Sequence, residues 1–396
     1  MTGKIDYNTP CMQPANLPPP IFIARQPALK RLASSLLRQP QIAVDTESNS
    51  LYAYRERVCL IQFSIPEGDF IVDPLALEDL SELAPVFCNE KSEKIFHAAE
   101  YDLICMKRDF GFEFCNLFDT MVASRILGRD ECGLGSILEA EYQVSLDKRH
   151  QRANWGQRPL PADLLAYARM DTHYLISLRN RLYGDLDQSG RLPLALEDFS
   201  RLCQVNGRTN ENKPEDCWRI NGAHDLPPQN AAVLIELCRY RDRVASAANR
   251  PLFKVIGDKT LLAIATSCPR NENQLSRIPG MSHLQMERYG KDLLAAVQRG
   301  MKAPPAYPPR HARPDEMYLV RLDALRSWRK SIAQEMRVSS DVILPRDLLY
   351  SVAEQGPRET FELAEILSDV PWRMEKFGGQ ILQVVAECQV SRNFHR

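Results

Sequence analysis

Short, dense apolar runs alternate with longer stretches of helical spacing along the first half of this 396-residue chain. Leu29, Leu32, Leu36 and Leu37 recur at intervals of three and four, which predicts an amphipathic helix within 21–40. Strand patterns follow at 42–45, 57–65, 69–73 and 94–97, where β-branched and aromatic residues cluster or alternate. Helical spacing returns at 77–88, 98–108, 118–127, 134–142 and 161–182. Three strands in succession predict an antiparallel start. The strand–helix alternation and helical tail behind them predict a mixed α/β domain with helices packed on its sheet.

Beyond residue 214 the apolar positions repeat themselves. Met286-Glu-Arg-Tyr-Gly290 returns as Met374-Glu-Lys-Phe-Gly378, and the same ungapped offset of 88 carries Leu234, Leu237, Tyr240 and Arg241 onto Leu322, Leu325, Trp328 and Arg329. It also carries Pro269-Arg270 onto Pro357-Arg358 and Leu275 onto Leu363. Two copies of one all-α module are the physical reading. The polar stretch 205–214 and the proline-rich stretch 301–314 read as linkers, the second of them semi-rigid. The polar, proline-containing start, 1–19, reads as a flexible lead-in without the apolar core of a secretory signal.

Composition narrows the class. Hydrophobic content of 44% and charged content of 26% are those of an ordinary globular chain, and no apolar run has the length of a membrane span. The 11 cysteines contain no C-x-x-C pair, so buried thiols in a reducing cytoplasm are expected rather than a disulfide framework or a zinc site. Net charge is −1, yet an acidic excess in residues 1–200 is followed by a basic excess in 201–300. An acidic metal site joined to a module that touches phosphates suits that distribution.

Candidate chemistry begins with Asp45 and Glu47. Residues i and i+2 of a strand share a face, so the two carboxylates project together and repel unless a hard divalent cation sits between them; the plainer reading is a strand ending in a solvated acidic turn. Asp102 stands where a short strand gives way to a helix, a position that capping alone explains. Tyr167 and Asp171 lie i, i+4 on one helix face, where an interfacial aromatic and a solvated acid are the plainer reading. No dinucleotide loop, P-loop or H-E-x-x-H stretch occurs.

Taken together, Asp45-x-Glu47, Asp102 and Tyr167-x-x-x-Asp171 resemble the three exonuclease motifs of the DEDDy subgroup of DnaQ-like 3′→5′ exonucleases. The flanks are similar to ribonuclease D: His97-Ala-Ala-Glu-Tyr-Asp102, Phe118-Asp-Thr120, Leu127-Gly, Leu134-Gly, Leu146-Asp-Lys148, Asn154-Trp155, Arg158-Pro-Leu160 and Tyr167-Ala-x-x-Asp171-x-x-Tyr-Leu. The resemblance spans about 20–205. It implies a ribonuclease H-like mixed sheet with flanking helices and two divalent ions, Mg²⁺ or Mn²⁺. By the same resemblance Asp45 bridges both ions, Glu47 and Asp171 hold the one that carries the water, Asp102 supports the other, and Tyr167 orients the attacking water. With a phenol pKa near 10, Tyr167 is a poor general base at neutral pH. His97 reads as a strand-end histidine beside the site rather than a substrate contact.

Residues 213–300 resemble the HRDC (helicase and RNase D C-terminal) domain, and 315–392 resemble it more weakly. Arg239, Arg241, Arg243, Arg250 and Lys254 form a candidate basic face, with a solvated helix surface the plainer reading and Arg241 suited to amphipathic packing as much as to contact; Ile278-Pro-Gly280 is a turn that can offer N–H groups to phosphate. The second copy has Ser368 in place of Gly280, so a scaffold or protein contact suits it as well as phosphate does. The whole implies a monomeric cytoplasmic 3′→5′ exoribonuclease that releases nucleoside 5′-monophosphates from RNA, tRNA precursors in particular, and grips structured RNA with its HRDC modules. A 3′→5′ DNA exonuclease and a non-catalytic RNA-binding adaptor are the alternatives.

Overall fold

The computed structural model describes residues 17–146, 148–207, 214–309 and 315–393. The expected lead-in lies outside them up to residue 16, as do most of the 205–214 linker and the last residues of the proline-rich one. The described parts of 1–47, 58–208 and 313–396 make one compact unit, and those of 48–57 and 209–312 a second.

In the first unit the chain runs β1 (Ile21–Ile23), α1 (Gln26–Leu36), β2 (Gln41–Ser48), β3 (Val58–Ile65), β4 (Gly68–Val72), α2 (Ala84–Phe87), β5 (Glu93–Phe96), α3 (Glu100–Phe110), β6 (Leu117–Asp119) and α4 (Thr120–Ile126). Helices α5 (Leu134–Tyr142), α6 (Ala162–His173), α7 (Leu175–Gln188) and α8 (Leu192–Cys203) follow. Six strands form one mixed sheet in the order β1-β4-β3-β2-β5-β6. The β3–β4 hairpin is antiparallel, whereas β1 with β4, β2 with β5 and β5 with β6 are parallel. All eight residues of β3 are buried, which requires cover on both faces of the sheet and explains its continuous apolar run.

Strands β1 and β6 are three residues long, too short to leave a period in the sequence, and the spacing at 118–127 reads as helix alone. The helix expected over 77–88 shrinks to a 3-10 turn at Ser81–Leu83, fixed by Ser81 N–H and Oγ–H donating to the Asp79 carboxylate, and the four residues of α2. The single helix expected over 161–182 is two. Tyr174 separates α6 from α7 and buries its ring against Tyr142, at 5.2 Å between centroids. Apolar spacing continues across that break although the helices feed different clusters: Leu164, Tyr167 and Ala168 of α6 pack with Cys59, Leu60 and Ile71, whereas Leu175, Leu178 and Leu182 of α7 enter the main core.

The second unit holds the first helical module: α9 (Pro228–Ala247), α10 (Leu252–Val255), α11 (Asp258–Ser267), α12 (Glu272–Leu275) and α13 (His283–Lys302). Leu234, Leu237, Leu261, Ile264, Leu293 and Val297 centre its core. Segment 48–57 packs on it: Tyr54 Oη donates to Asp242 at 2.6 Å, and Lys254 Nζ sits 4.0 Å over the Tyr52 ring. Much of the candidate basic face is thereby accounted for within the module. Arg241 is buried, donating to Asp258 at 2.6 Å and to the Ile256 carbonyl at 3.1 Å, and Arg239 pairs with Glu236.

The second module, α14 (Glu316–Met336), α15 (Ser340–Ile343), α16 (Arg346–Gln355), α17 (Thr360–Ile366) and α18 (Pro371–Asn393), repeats the first at the offset of 88. Arg329 donates to the Leu344 carbonyl as Arg241 does to Ile256, and Gly378 lies against Met374 and Leu363 as Gly290 lies against Met286 and Leu275. This copy belongs to the first unit. Its Arg373, fully buried, donates to Glu197 at 2.9 Å, to Asp198 at 3.0 Å and to the carbonyls of Ile343 and Val342. Arg201 pairs with Asp347 and Asp369, and Arg191 spans the Ile126 and Met336 carbonyls. Gly128, at φ +80°, lets the chain pass so near the Arg337 carbonyl that a Cβ would stand 2.3 Å from its oxygen.

Removing one partner of a buried ion pair leaves the other charge unpaired in the interior, so Arg373→Ala is expected to lower the unfolding free energy by about 3–5 kcal/mol in urea titration. A loss below about 1 kcal/mol, the scale of a surface pair, contradicts the docking described here.

Candidate active site

Strand β2 occupies the middle of the sheet, and its apolar half, Ile42-Ala-Val44, is buried. That anchoring fixes where the polar half points. Asp45 and Glu47 meet Asp171 of α6, and one carboxylate oxygen from each lies within 4.8 Å of the other two. Asp102, in the first turn of α3, joins them through Thr46, whose hydroxyl donates to its Oδ1.

Two devices place Asp102 and Asp171. Between β5 and α3 the chain turns through Ala98 at φ +63°, a left-handed conformation that a residue with a Cβ adopts at a cost. Asp119 holds that turn: its carboxylate accepts from Ala98 N at 3.1 Å and Ala99 N at 2.7 Å, and also caps α4 through Met121 N and Val122 N. Helix α6 is pinned to the sheet beside Asp171, where His173 Nδ1 lies 2.9 Å from Asp69, Asp69 accepts from Ser64, and Ser64 bonds Thr172 at 2.7 Å. Arg158 braces the approach to α6 with a fork on Asp73 at 2.6 and 2.7 Å, a bond to the Trp155 carbonyl and another to that of Cys59. Trp155 stacks on Tyr167 at 6.2 Å between centroids, His150 approaches the same ring at 5.4 Å, and Gln151 hydrogen-bonds the phenol.

Electrostatics sets what this arrangement can hold. Burial, then the neighbouring carboxylates, raise Asp45, Glu47 and Asp102 well above the usual carboxylate range. Burial and Asp102 push Asp171 up to about 7. No arginine or lysine is among the causes. Burial and the carboxylates Asp171, Glu47 and Asp45 raise Tyr167 as well, so its phenol keeps its proton at neutral pH. His97, lowered mainly by burial, is neutral there and bonds Thr120 at 2.9 Å, so it serves the β5–α4 junction. An oxygen-only donor set that repels itself fits hard divalent cations. Beside it a cleft of about 290 Å³ is lined by Gly133, Ser136, Glu139, Gln151, Tyr167 and Asp171 among others.

Residues 20–187 match the 3′-5′ exonuclease family model, and residues 230–297 and 319–385 each match the HRDC domain. Ribonuclease D of Gluconacetobacter diazotrophicus is 30% identical over 305 residues, covering 76% of this chain and 77% of that protein. The chain belongs to the ribonuclease D family. The crystal structure of Escherichia coli RNase D superposes with a TM-score of 0.68 at 26% identity, over 93% of this chain and 99% of that one. Three RRP6-like proteins of Arabidopsis thaliana are 30–32% identical, and the chain spans only 34–46% of their length. In this ribonuclease D framework the structure gathers Asp45, Glu47 and Asp171 into one oxygen cluster, with Asp102 and Tyr167 at its margins.

Sequence reasoning missed Thr46, Asp119, Gln151 and the Asp69–His173 pair as supports of the site. Asp119 left a trace, an acid directly before a helical pattern, which is the mark of an N-cap.

The pH dependence has a definite sign. A carboxyl raised to about 7 in the fold and near 3.8 when unfolded contributes stability that is fully present below 3.8 and lost as pH rises through 7. In EDTA the midpoint of thermal unfolding is therefore expected to climb from pH 8 to pH 6, and Mg²⁺ or Mn²⁺ to restore it at pH 8. Asp171→Asn should flatten this profile, and an equally steep one in that variant contradicts the assignment.

Proposed function

We propose that this chain is a 3′→5′ exoribonuclease that cuts the terminal phosphodiester of RNA and releases a nucleoside 5′-monophosphate. The observation that carries the reading is the convergence of Asp45, Glu47 and Asp171, with Asp102 coupled through Thr46, in a buried site with no compensating cation among the described residues. An adaptor that only binds RNA has no use for four mutually repelling acids. Two divalent ions, Mg²⁺ or Mn²⁺, supply an acidified water and neutralise charge on the leaving 3′-oxygen.

The protein's own part is placement. Asp45 would hold both ions, Glu47 and Asp171 one of them, and Asp102 the other. Tyr167, protonated and fixed between Trp155 and His150, orients the attacking water by hydrogen bonding rather than by taking its proton. The adjoining cleft receives the 3′-terminal nucleoside. Structured RNA, with tRNA precursors as the leading candidate, is the proposed substrate, supported by the likeness to E. coli RNase D, described as an exoribonuclease involved in structured RNA processing. We further propose that the chain works as a monomer in the cytoplasm: all ten cysteines among the described residues are free, as in a reducing compartment, and no described helix is long and apolar enough to cross a membrane.

The test offers 3′-extended tRNA, single-stranded RNA and single-stranded DNA to the wild type, Asp45→Asn and Asp171→Ala with Mg²⁺, Mn²⁺ or EDTA. Each acid variant is expected to lose on the order of a thousandfold in kcat, Asp45→Asn the most, with no turnover in EDTA. Activity that survives either treatment refutes the metal mechanism, and DNA digestion at or above the RNA rate moves the substrate to DNA. Tyr167→Phe removes one hydrogen bond and is expected to lower kcat about tenfold. Its pH profile should keep the wild-type shape; a lost alkaline limb makes the phenol an acid–base group instead.

A further inference from the structure

The two helical modules contain the same hollow in two chemical versions. In the first, the turn from α11 to α12 and the last turns of α13 enclose about 780 Å³, with Arg270, Arg277 and Lys302 on its wall and the apolar surfaces of Val297 and Met301 between them. No carboxylate lines it, and none of the three cations forms an ion pair among the described residues. Met301 is 48% exposed, unusual for so large an apolar side chain.

At the offset of 88 the second module keeps the backbone and changes the charge. Arg270 N donates to Gln274 at 2.8 Å, and Arg358 N donates to the corresponding Glu362 at 2.6 Å. Arg277 is replaced by Glu365, which lines the second hollow together with Glu362. That hollow is about 320 Å³, because Arg321, standing where the first module has Val233, enters it and donates to the carbonyls of Ala353 and Glu354 at 2.6 and 3.1 Å. One copy has filled its hollow and balanced its charge, with Glu362 and Glu365 facing Arg321 and Arg358. The other has left it open, cationic and partly apolar.

We propose that the hollow of the first module is a nucleotide-binding site, and that its occupant is a nucleotide of an RNA strand. The planar forks of Arg270 and Arg277 match phosphate oxygens, and Lys302 adds a point charge. The thioether of exposed Met301 offers a base the apolar and sulfur contacts that aromatic rings favour. A volume of about 780 Å³ is in the range of small-molecule sites and holds a nucleotide with room for its flanking phosphates. The site is separate from the acidic cluster and does not depend on the reaction assigned there.

The experiment uses the full chain in EDTA, where no hydrolysis intervenes, and measures binding of a fluorescein-labelled single-stranded oligoribonucleotide across a salt series. Gln274→Glu combined with Arg277→Glu transplants the acidic pair of the second module, whose fold shows that both glutamates are tolerated. This variant is expected to raise Kd about tenfold or more and to reduce the salt slope by about 0.7 for each phosphate it no longer neutralises. Lys302→Ala, which leaves the turn untouched, should move Kd the same way by a smaller factor. Lys291→Glu, an exposed charge on α13 outside the hollow, is the control and should change Kd less than about twofold. Competition by AMP identifies a site that a single nucleotide fills, and competition only by longer strands one that needs flanking phosphates; either supports the proposal when it weakens in the transplanted variant. Unchanged Kd in both hollow variants overturns it, as does an equal loss in Lys291→Glu. Hydrolysis in Mg²⁺ with unchanged kcat in the transplanted variant separates this site from the acidic cluster, and absence of hydrolysis in every variant counts against the exonuclease reading alone.

Discussion

Four carboxylates held within reach of one another, with no cation from the described residues among them, are the constraint on which the catalytic domain depends. Such an arrangement is unfavourable in the folded chain, as the raised pKa values of Asp45, Glu47, Asp102 and Asp171 record. The surrounding structure therefore has to hold it from behind. Strand β2 does so by burying Ile42-Ala-Val44 at the centre of the sheet. Asp119 holds the Ala98 turn, and the Asp69–His173 and Arg158–Asp73 pairs hold α6. Each of these supports uses a carboxylate that is satisfied by backbone N–H groups or by a cationic or imidazole partner. At the site, Asp45 accepts a backbone N–H from Thr46 and Asp102 the Thr46 hydroxyl, and no arginine or lysine among the described residues is paired with either.

Similar physics separates the two helical modules, which share a framework down to the arginine on a loop carbonyl and the glycine under a methionine. In the second copy arginine–carboxylate pairs are turned toward the catalytic domain: Arg373 is enclosed by Glu197 and Asp198, and Arg201 reaches Asp347 and Asp369. Its hollow is occupied by its own Arg321. In the first copy the cations at the hollow stay without an ion pair among the described residues. The two copies share one scaffold, and the placement of a few charges sets them apart.

Much of this was legible from residues alone. The i, i+2 pair Asp45 and Glu47, the i, i+4 pair Tyr167 and Asp171, and the offset of 88 are local or periodic facts, which a sequence displays directly. Elements of three or four residues were not legible, because β1, β6 and α2 are too short for any period. Tyr174, which ends α6, was hidden for another reason: it is as apolar as the helical positions on either side, and only its packing on Tyr142 marks the break. Arg241, whose spacing suits packing as much as contact, proves to be packed, but its partner Asp258 had no mark in the sequence.

By itself the sequence determined the alternation of strands and helices, the repeat, and which acids share a local face, because these depend on backbone geometry over a few residues. Only the tertiary structure decided that Asp45 and Asp171, more than a hundred residues apart, present oxygens to one cluster, and that Asp102 enters it through Thr46. It also decided that the second helical module packs into one unit with the catalytic domain, and that the first keeps an open cationic hollow. Proximity of that kind follows from sheet order and side-chain packing, and neither leaves a period to read.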